Sequence, residues 1–171
     1  MTSEILRTAD SMGSRRAFSL VEAVFVVAII GVLSSIALPH YAGFVAREQI
    51  HAAARRIESD LALAQRQARL SSASQQIVFN VVAGTYTLVD LPDPDRHGQT
   101  YQVSLTKEPY RANIVSANFG GDATLIYDGF GTPDSSGSVV IGVGKYRQTI
   151  TVNAGTGKAI KSQELLIVEI N

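Results

Sequence analysis

The chain contains no cysteine. Disulfides, thiol catalysis, zinc–cysteine sites and acylation at a cysteine are therefore excluded, although the compartment is not fixed by this alone. Net charge is missing too: 15 Lys and Arg balance 15 Asp and Glu, and no polybasic block stands out. That removes the simplest argument for nucleic-acid binding, which rests on a strong positive field. No nucleophile elbow or other catalytic signature is present. His40, His51 and His97 share no metal-ligand spacing, and the first two stand about three helical turns apart, too far for one ion. Gly155-Thr-Gly-Lys158 has part of a phosphate-loop pattern. Val152 stands where its first glycine is needed, however, and Ala159 where a Ser or Thr must bind magnesium, so a turn is expected. Asp93-Pro-Asp95 with Gly98 resembles the start of a calcium loop. His97 takes its fifth place and Ser104 replaces the bidentate acid, so this stretch reads as a solvated turn. No enzyme, cofactor or metal is expected.

What is present is an apolar chain, 46% hydrophobic and 18% charged, with room in 171 residues for one domain and an N-terminal appendage. From Phe18 to Leu38 the sequence is nearly all apolar and Glu22 is the only charge. About twenty-one residues at about 1.5 Å each span a bilayer's hydrocarbon core. About thirteen of them are Phe, Leu, Ile or Val, which together favour insertion by roughly 4–8 kcal/mol, against a cost of about 3 kcal/mol for one carboxylate. The segment is predicted to insert despite Glu22. Arg15 and Arg16 before it place the short N-terminus in the cytoplasm and the rest of the chain outside it. A secretory signal peptide is the alternative, since Ser35-Ile36-Ala37 is a small-x-small cleavage site that would leave Leu38 as the mature start. Against it stand the length of the run, the acid near its start, and a helical pattern that continues past Pro39.

In that continuation Ile50, Ala54, Ile57, Leu61, Ala64 and Ala68 alternate spacings of four and three and draw one apolar stripe. Arg47, Glu48, Arg55, Arg56, Glu58, Asp60, Arg66 and Arg69 lie between them and are predicted to face water. Pro39, between the two halves, can kink the helix by removing one backbone hydrogen bond. Ser71-Ser72 ends the pattern. From about residue 76 the period becomes two. Strands are predicted at 77–82, 85–89, 100–105, 113–117, 124–127, 138–143, 147–153 and 164–170, joined by Gly- and Pro-bearing turns. The fold class is α+β, a long N-terminal helix packed through its stripe on an antiparallel β-sheet domain with one core.

Arg15-Arg16-Ala17, Phe18-Ser19-Leu20-Val21-Glu22 and the apolar run to Ala37-Leu38-Pro39 resemble the N-terminus of the type IV prepilin and pseudopilin superfamily. The resemblance implies a leader cut between Ala17 and Phe18 by a prepilin peptidase, and N-methylation of the new Phe18 amine. Alanine stands where the family has glycine before the cut, and cleavage is expected to be slower or still adequate. Glu22, costly near a bilayer unless paired, acquires a filament-assembly role by pairing with the amine of a neighbouring subunit. In the C-terminal half, Tyr127-Asp-Gly-Phe-Gly-Thr-Pro-Asp134, Gly137-Ser-Val-Val-Ile-Gly142, Gln148-Thr-Ile-Thr-Val152 and Ala154-Gly-Thr-Gly-Lys-Ala159 resemble the GspH/FimT-type minor pseudopilins and minor pilins.

The resemblance thus implies a pilin-like fold with four parts. They are a leader (1–17), a membrane-spanning and filament-core helix half (18–39), an amphipathic half (40–72) and an antiparallel β domain (73–171) packed with residues 45–72. It implies a single-pass protein of the bacterial inner membrane that later enters a periplasmic or surface filament, either a type II secretion pseudopilus or a type IV pilus. Its partners would be other pilin or pseudopilin subunits, the prepilin peptidase, the inner membrane with its assembly platform, and secreted cargo or DNA. Some members of the subgroup bind DNA through basic residues of this half. Lys145, Arg147, Lys158 and Lys161 are the candidates here, set against Glu164 and Glu169 in a near-neutral domain.

Overall fold

In the computed structural model, which describes residues 19–162 and 165–166 and only the backbone at 36–40 and 166, the first element is helix α1, Leu20–Ser71. Two compact units divide the chain, Met1–His40 and Tyr41–Asn171, and α1 contributes to both. In the first unit the Ala23 amide donates to the Ser19 carbonyl at 3.1 Å. Ser19 is thereby the helix cap and Glu22 the third helical residue, where the positive end of the helix dipole stabilises a carboxylate. Every described side chain from Ser19 to Ser35 is exposed, Leu20 at 80% and Phe25 at 66%. Among the described residues no helix is long and apolar enough to cross a membrane. The predicted span 18–39 reaches beyond them: the leader, the Ala17–Phe18 junction and the side chain of Pro39 all lie outside the described residues. The helical backbone itself runs on through Pro39.

In the second unit the helix becomes one-sided. The predicted stripe is buried throughout, from Ile50 to Ala68, with Ala53 added to it. Its many alanines let the helix approach the strands closely, and Ile50, Ile57 and Leu61 supply the bulk. The helix stops at Ser72, which takes a left-handed φ of 50° while the Ala73 amide closes on the Ala68 carbonyl at 3.3 Å.

Among the described residues nine strands follow. β1 (Gln75–Asn80), β2 (Thr85–Pro92), β3 (Thr100–Ser104) and β5 (Thr124–Tyr127) form one antiparallel sheet in the order β3-β2-β1-β5. β4 (Asn113–Phe119), β6 (Gly137–Val143), β7 (Tyr146–Val152) and β8 (Ala159–Lys161) form a second antiparallel sheet in the order β4-β6-β7-β8, and β9 (Leu165–Leu166) also pairs with β7. Alternation decides the buried faces: Ile77 and Phe79 of β1 lie opposite Leu88 and Tyr86 of β2, and all four are buried. The helix stripe and both sheets share one hydrophobic cluster. Phe79 joins the sheets by stacking on Phe119 of β4, with ring centroids 5.5 Å apart.

Three sequence expectations change. The strands make two sheets, not one, because alternation fixes which face a strand buries but not which strand it pairs with. β8 is an added strand of three residues directly after a predicted turn, too short to show a period. Asp60, expected to face water, is buried with 5% exposure. Of the predicted last strand, Leu165–Leu166 forms a strand that pairs with β7, and its remaining residues lie outside the described residues.

Candidate assembly surfaces

Glu22 stands alone in its stretch of α1. It is exposed and has no hydrogen-bond or ion-pair partner among the described residues, while Leu20, Val21, Val24, Phe25 and Val26 around it are all exposed.

At the other end of α1, in the second unit, the Tyr127–Asp134 motif folds into a turn bonded to the helix. Asp128 holds the turn from inside, its Oδ1 accepting from the Phe130 amide at 2.9 Å and the Thr132 amide at 2.8 Å. Arg69 Nε donates to the Phe130 carbonyl at 2.9 Å. Gln65 Nε2 donates to the carbonyls of Gly131 at 2.8 Å and Thr156 at 2.9 Å, so it ties two turns to one helical residue. The buried Tyr127 hydroxyl donates to the Gly157 carbonyl at 3.0 Å. Phe130 sits at the tip of this fixed turn, 85% exposed. Gly129 is required by close approach, since a Cβ there would lie 2.8 Å from the Ser72 carbonyl carbon and 2.9 Å from its oxygen. Gly129→Ala should therefore cost about 1–3 kcal/mol in urea unfolding, because backbone must move to accept it.

The buried Asp60 sits at the centre of a cluster that sequence reasoning missed. Its Oδ2 accepts from the Tyr86 hydroxyl at 2.5 Å and from Arg56 Nε at 3.0 Å, and its Oδ1 accepts from the Tyr101 hydroxyl at 2.9 Å. Arg56 also donates to the Tyr101 oxygen and lies over its ring, 5.8 Å from the centroid. A helix carboxylate thus fixes β2 and β3. One signal was available: Asp60 is three residues from Ile57 and four from Ala64, within reach of the buried face.

Burial, then the hydrogen bond and charge of Asp60, pushes the Tyr101 phenol from 10.0 to about 12. Burial followed by Asp60 also raises Tyr86, and burial raises Tyr127. A folded pKa above the unfolded one contributes stability that is complete below the unfolded value and is lost as pH rises through the folded value. Stability should hold to about pH 10 and fall between pH 10 and 12. In the Tyr86→Phe/Tyr101→Phe protein that alkaline fall should shrink, as read from urea midpoints across the range.

The four candidate cations do not converge. Lys145, in the β6–β7 turn, lies 5.8 Å from the Tyr146 ring centroid. Arg147 directs Nη1 at the carbonyls of Gly144 and Tyr146, at 2.6 and 2.9 Å. Lys158 is exposed beyond the far end of β7. Lys161, on β8 opposite Ile150, pairs with Glu58 at 3.8 Å while its amide donates to the same carboxylate at 3.2 Å. From Arg147 to the end of β7 at Val152 the strand runs about 16 Å at about 3.3 Å per residue, and Lys158 lies past that end. The Asp93 turn is closed on itself: Oδ1 accepts from the amides of Asp95 and Arg96, and Oδ2 pairs with the Arg96 guanidinium at 2.7 Å. Among the described residues no three His, Asp or Glu side chains gather as a metal site would require.

The model of the family described as "Type II transport protein GspH" matches residues 53–156, more than half of the chain. A fimbrial protein of Moraxella nonliquefaciens is 46% identical over 39 residues, which is 23% of this chain and 25% of that relative, so the match spans about a quarter of its length. Among solved structures, the minor pseudopilin EpsH from the Type 2 Secretion System of Vibrio cholerae aligns with a TM-score of 0.49 and 17% identity, covering 72% of this chain and 99% of that one.

Proposed function

Because the chain belongs to the family of the type II transport protein GspH, we propose that it is a minor pseudopilin, a structural subunit of a type II secretion pseudopilus. It is made with residues 1–17 as a cytoplasmic leader, cut between Ala17 and Phe18 by a prepilin peptidase and N-methylated at Phe18. Residues 18–39 hold it in the inner membrane, with residues 73–171 as a periplasmic β domain. The assembly platform then moves it into a short filament, where membrane contact is exchanged for contact with other subunits and Glu22 pairs with a neighbour's Phe18 amine.

The observation that supports this most is the described stretch Ser19–Ser35. All its side chains are exposed, its surface is apolar on every side, and one acid stands in its first turn. A water-soluble domain gains nothing from such a surface, whereas a subunit that passes from lipid into a helical bundle needs it. The fixed turn at Phe130 gives the β domain a rigid apolar contact of the kind that anchors protein partners. A type IV pilus is the alternative filament, favoured by the stretch shared with a fimbrial protein.

Deleting the gene and following both outputs separates the two. The pseudopilus reading expects export of a type II substrate to collapse while surface pili persist. Loss of pili with export intact would replace it with the pilus reading.

A further inference from the structure

A polar cavity of about 370 Å³ lies against β3 in the second unit, within the size range of small-ligand sites. It is lined by Arg56 of α1, by Tyr101 to Ser104 of β3, and by the turns before and after that strand.

The cations of this cavity are held in place. Arg56 Nε donates to the buried Asp60 at 3.0 Å and its Nη2 donates to the Tyr101 oxygen. Arg96 Nε donates to the buried Asp93 at 2.9 Å and its Nη2 to the Gln102 carbonyl at 3.0 Å. Each guanidinium thus keeps Nη1 without a hydrogen-bond partner among the described residues. Lys107 sits on a turn whose Tyr110 and Arg111 amides donate to its carbonyl at 3.1 and 3.0 Å. The Leu105 amide ties that turn to the Gly84 carbonyl at 2.9 Å, and the Ala112 amide closes it on the Leu105 carbonyl at 2.8 Å. The Lys107 ammonium is exposed and has no partner among the described residues.

Three cations with unspent donors, two of them oriented by buried carboxylates, make a preorganised receptor for an oxygen anion. The acids nearby do not fill it. Asp93 is spent on Arg96 and two backbone amides, and Glu108 pairs with Arg111, while Asp95 is exposed. In and beside the lining, Arg56, Arg96, Lys107 and Arg111 balance Asp60, Asp93, Asp95 and Glu108. Neutral surroundings suit a carboxylate, with one negative charge, better than a phosphate ester with close to two. β3 is an edge strand, but Arg96 already occupies its Gln102 carbonyl, which disfavours addition of another strand.

We propose that this cavity binds a carboxylate group, held by Arg56 Nη1, Arg96 Nη1 and the Lys107 ammonium, and carried by a small organic acid or a polypeptide. The site lies wholly within the Tyr41–Asn171 unit, so it requires neither residues 18–39 nor a filament.

The test follows NMR shifts of cavity residues in the detergent-solubilised full chain at low salt. N-acetylglycine stands in for a polypeptide C-terminus, acetate for a small acid, and N-acetylglycine methyl ester is the uncharged control. Saturable shifts at Arg56, Arg96 and Lys107 are expected with the carboxylates and none with the ester. Tighter binding of N-acetylglycine than of acetate would assign the site to a polypeptide, and equal or weaker binding to a small acid. Lys107→Gln, which breaks no hydrogen bond or ion pair among the described residues, should unfold at the wild-type urea concentration and weaken binding about threefold. Arg96→Gln/Lys107→Gln should weaken it at least about tenfold. No saturable shift, equal shifts with the ester, unchanged affinity in both variants, or tighter binding of inorganic phosphate would each overturn the proposal.

Discussion

Replacing Asp60 by alanine should destabilise the Tyr41–Asn171 unit by about 3–5 kcal/mol, more than any other single change discussed above. The residue is 5% exposed and its carboxylate receives three donors, the Tyr86 hydroxyl, the Tyr101 hydroxyl and Arg56 Nε. Truncation leaves the buried Tyr86 hydroxyl without its acceptor and takes the counter-ion from Arg56. It also opens a cavity between α1 and the β2–β3 pair. Asp60→Asn should cost less, because the amide oxygen can still accept from a tyrosine while the ion pair is lost. Urea unfolding of the detergent-solubilised full chain provides the measurement. A loss below about 1 kcal/mol for Asp60→Ala, the worth of one ordinary hydrogen bond, would mean that the cluster does not fix the sheet to the helix. The alkaline loss of stability should also change in this variant, because Asp60 contributes to the raised values of both phenols.

The second large effect concerns assembly. If Glu22 pairs with a neighbour's amine as proposed, Glu22→Ala should reduce recovery of the protein in filaments by at least about a hundredfold, since removing one member of a desolvated ion pair costs about 3–5 kcal/mol. The same substitution should not reduce the amount in the membrane fraction. Removing a carboxylate from an apolar helix favours insertion by about 3 kcal/mol, so the two readouts should separate. Glu22→Gln tests the charge itself and should assemble as poorly as alanine. Equal filament recovery for wild type and Glu22→Ala would leave Glu22 as a helix-capping acid in the first turn, with no part in choosing a neighbour.

Much of the fold was legible because periodicity reports burial directly. Ile50, Ala54, Ile57, Leu61, Ala64 and Ala68 follow a helical period and are buried, and Ile77 and Phe79 follow a period of two and are buried. Asp60 was missed because residue type was read before position. A carboxylate among apolar neighbours suggests solvent until its two tyrosine partners are known, and those lie 26 and 41 residues away. The pairing of strands into two sheets depends on contacts of similar range and leaves no local pattern. The 127–134 motif could be read as a turn, but the helix residues that secure it, Gln65 and Arg69, are more than sixty residues earlier and look like ordinary polar surface. Lys145, Arg147, Lys158 and Lys161 seemed able to gather because the sequence places them close together. Arg147 stands at the start of β7 and Lys158 lies past its other end, so the length of the strand separates them.

N-terminal sequencing and intact mass of the protein from the membrane fraction test the proposed start of the mature chain. A chain beginning at Phe18 and carrying one added methyl group on its amine is the predicted result. A mature chain beginning at Leu38, released from the membrane, would contradict it.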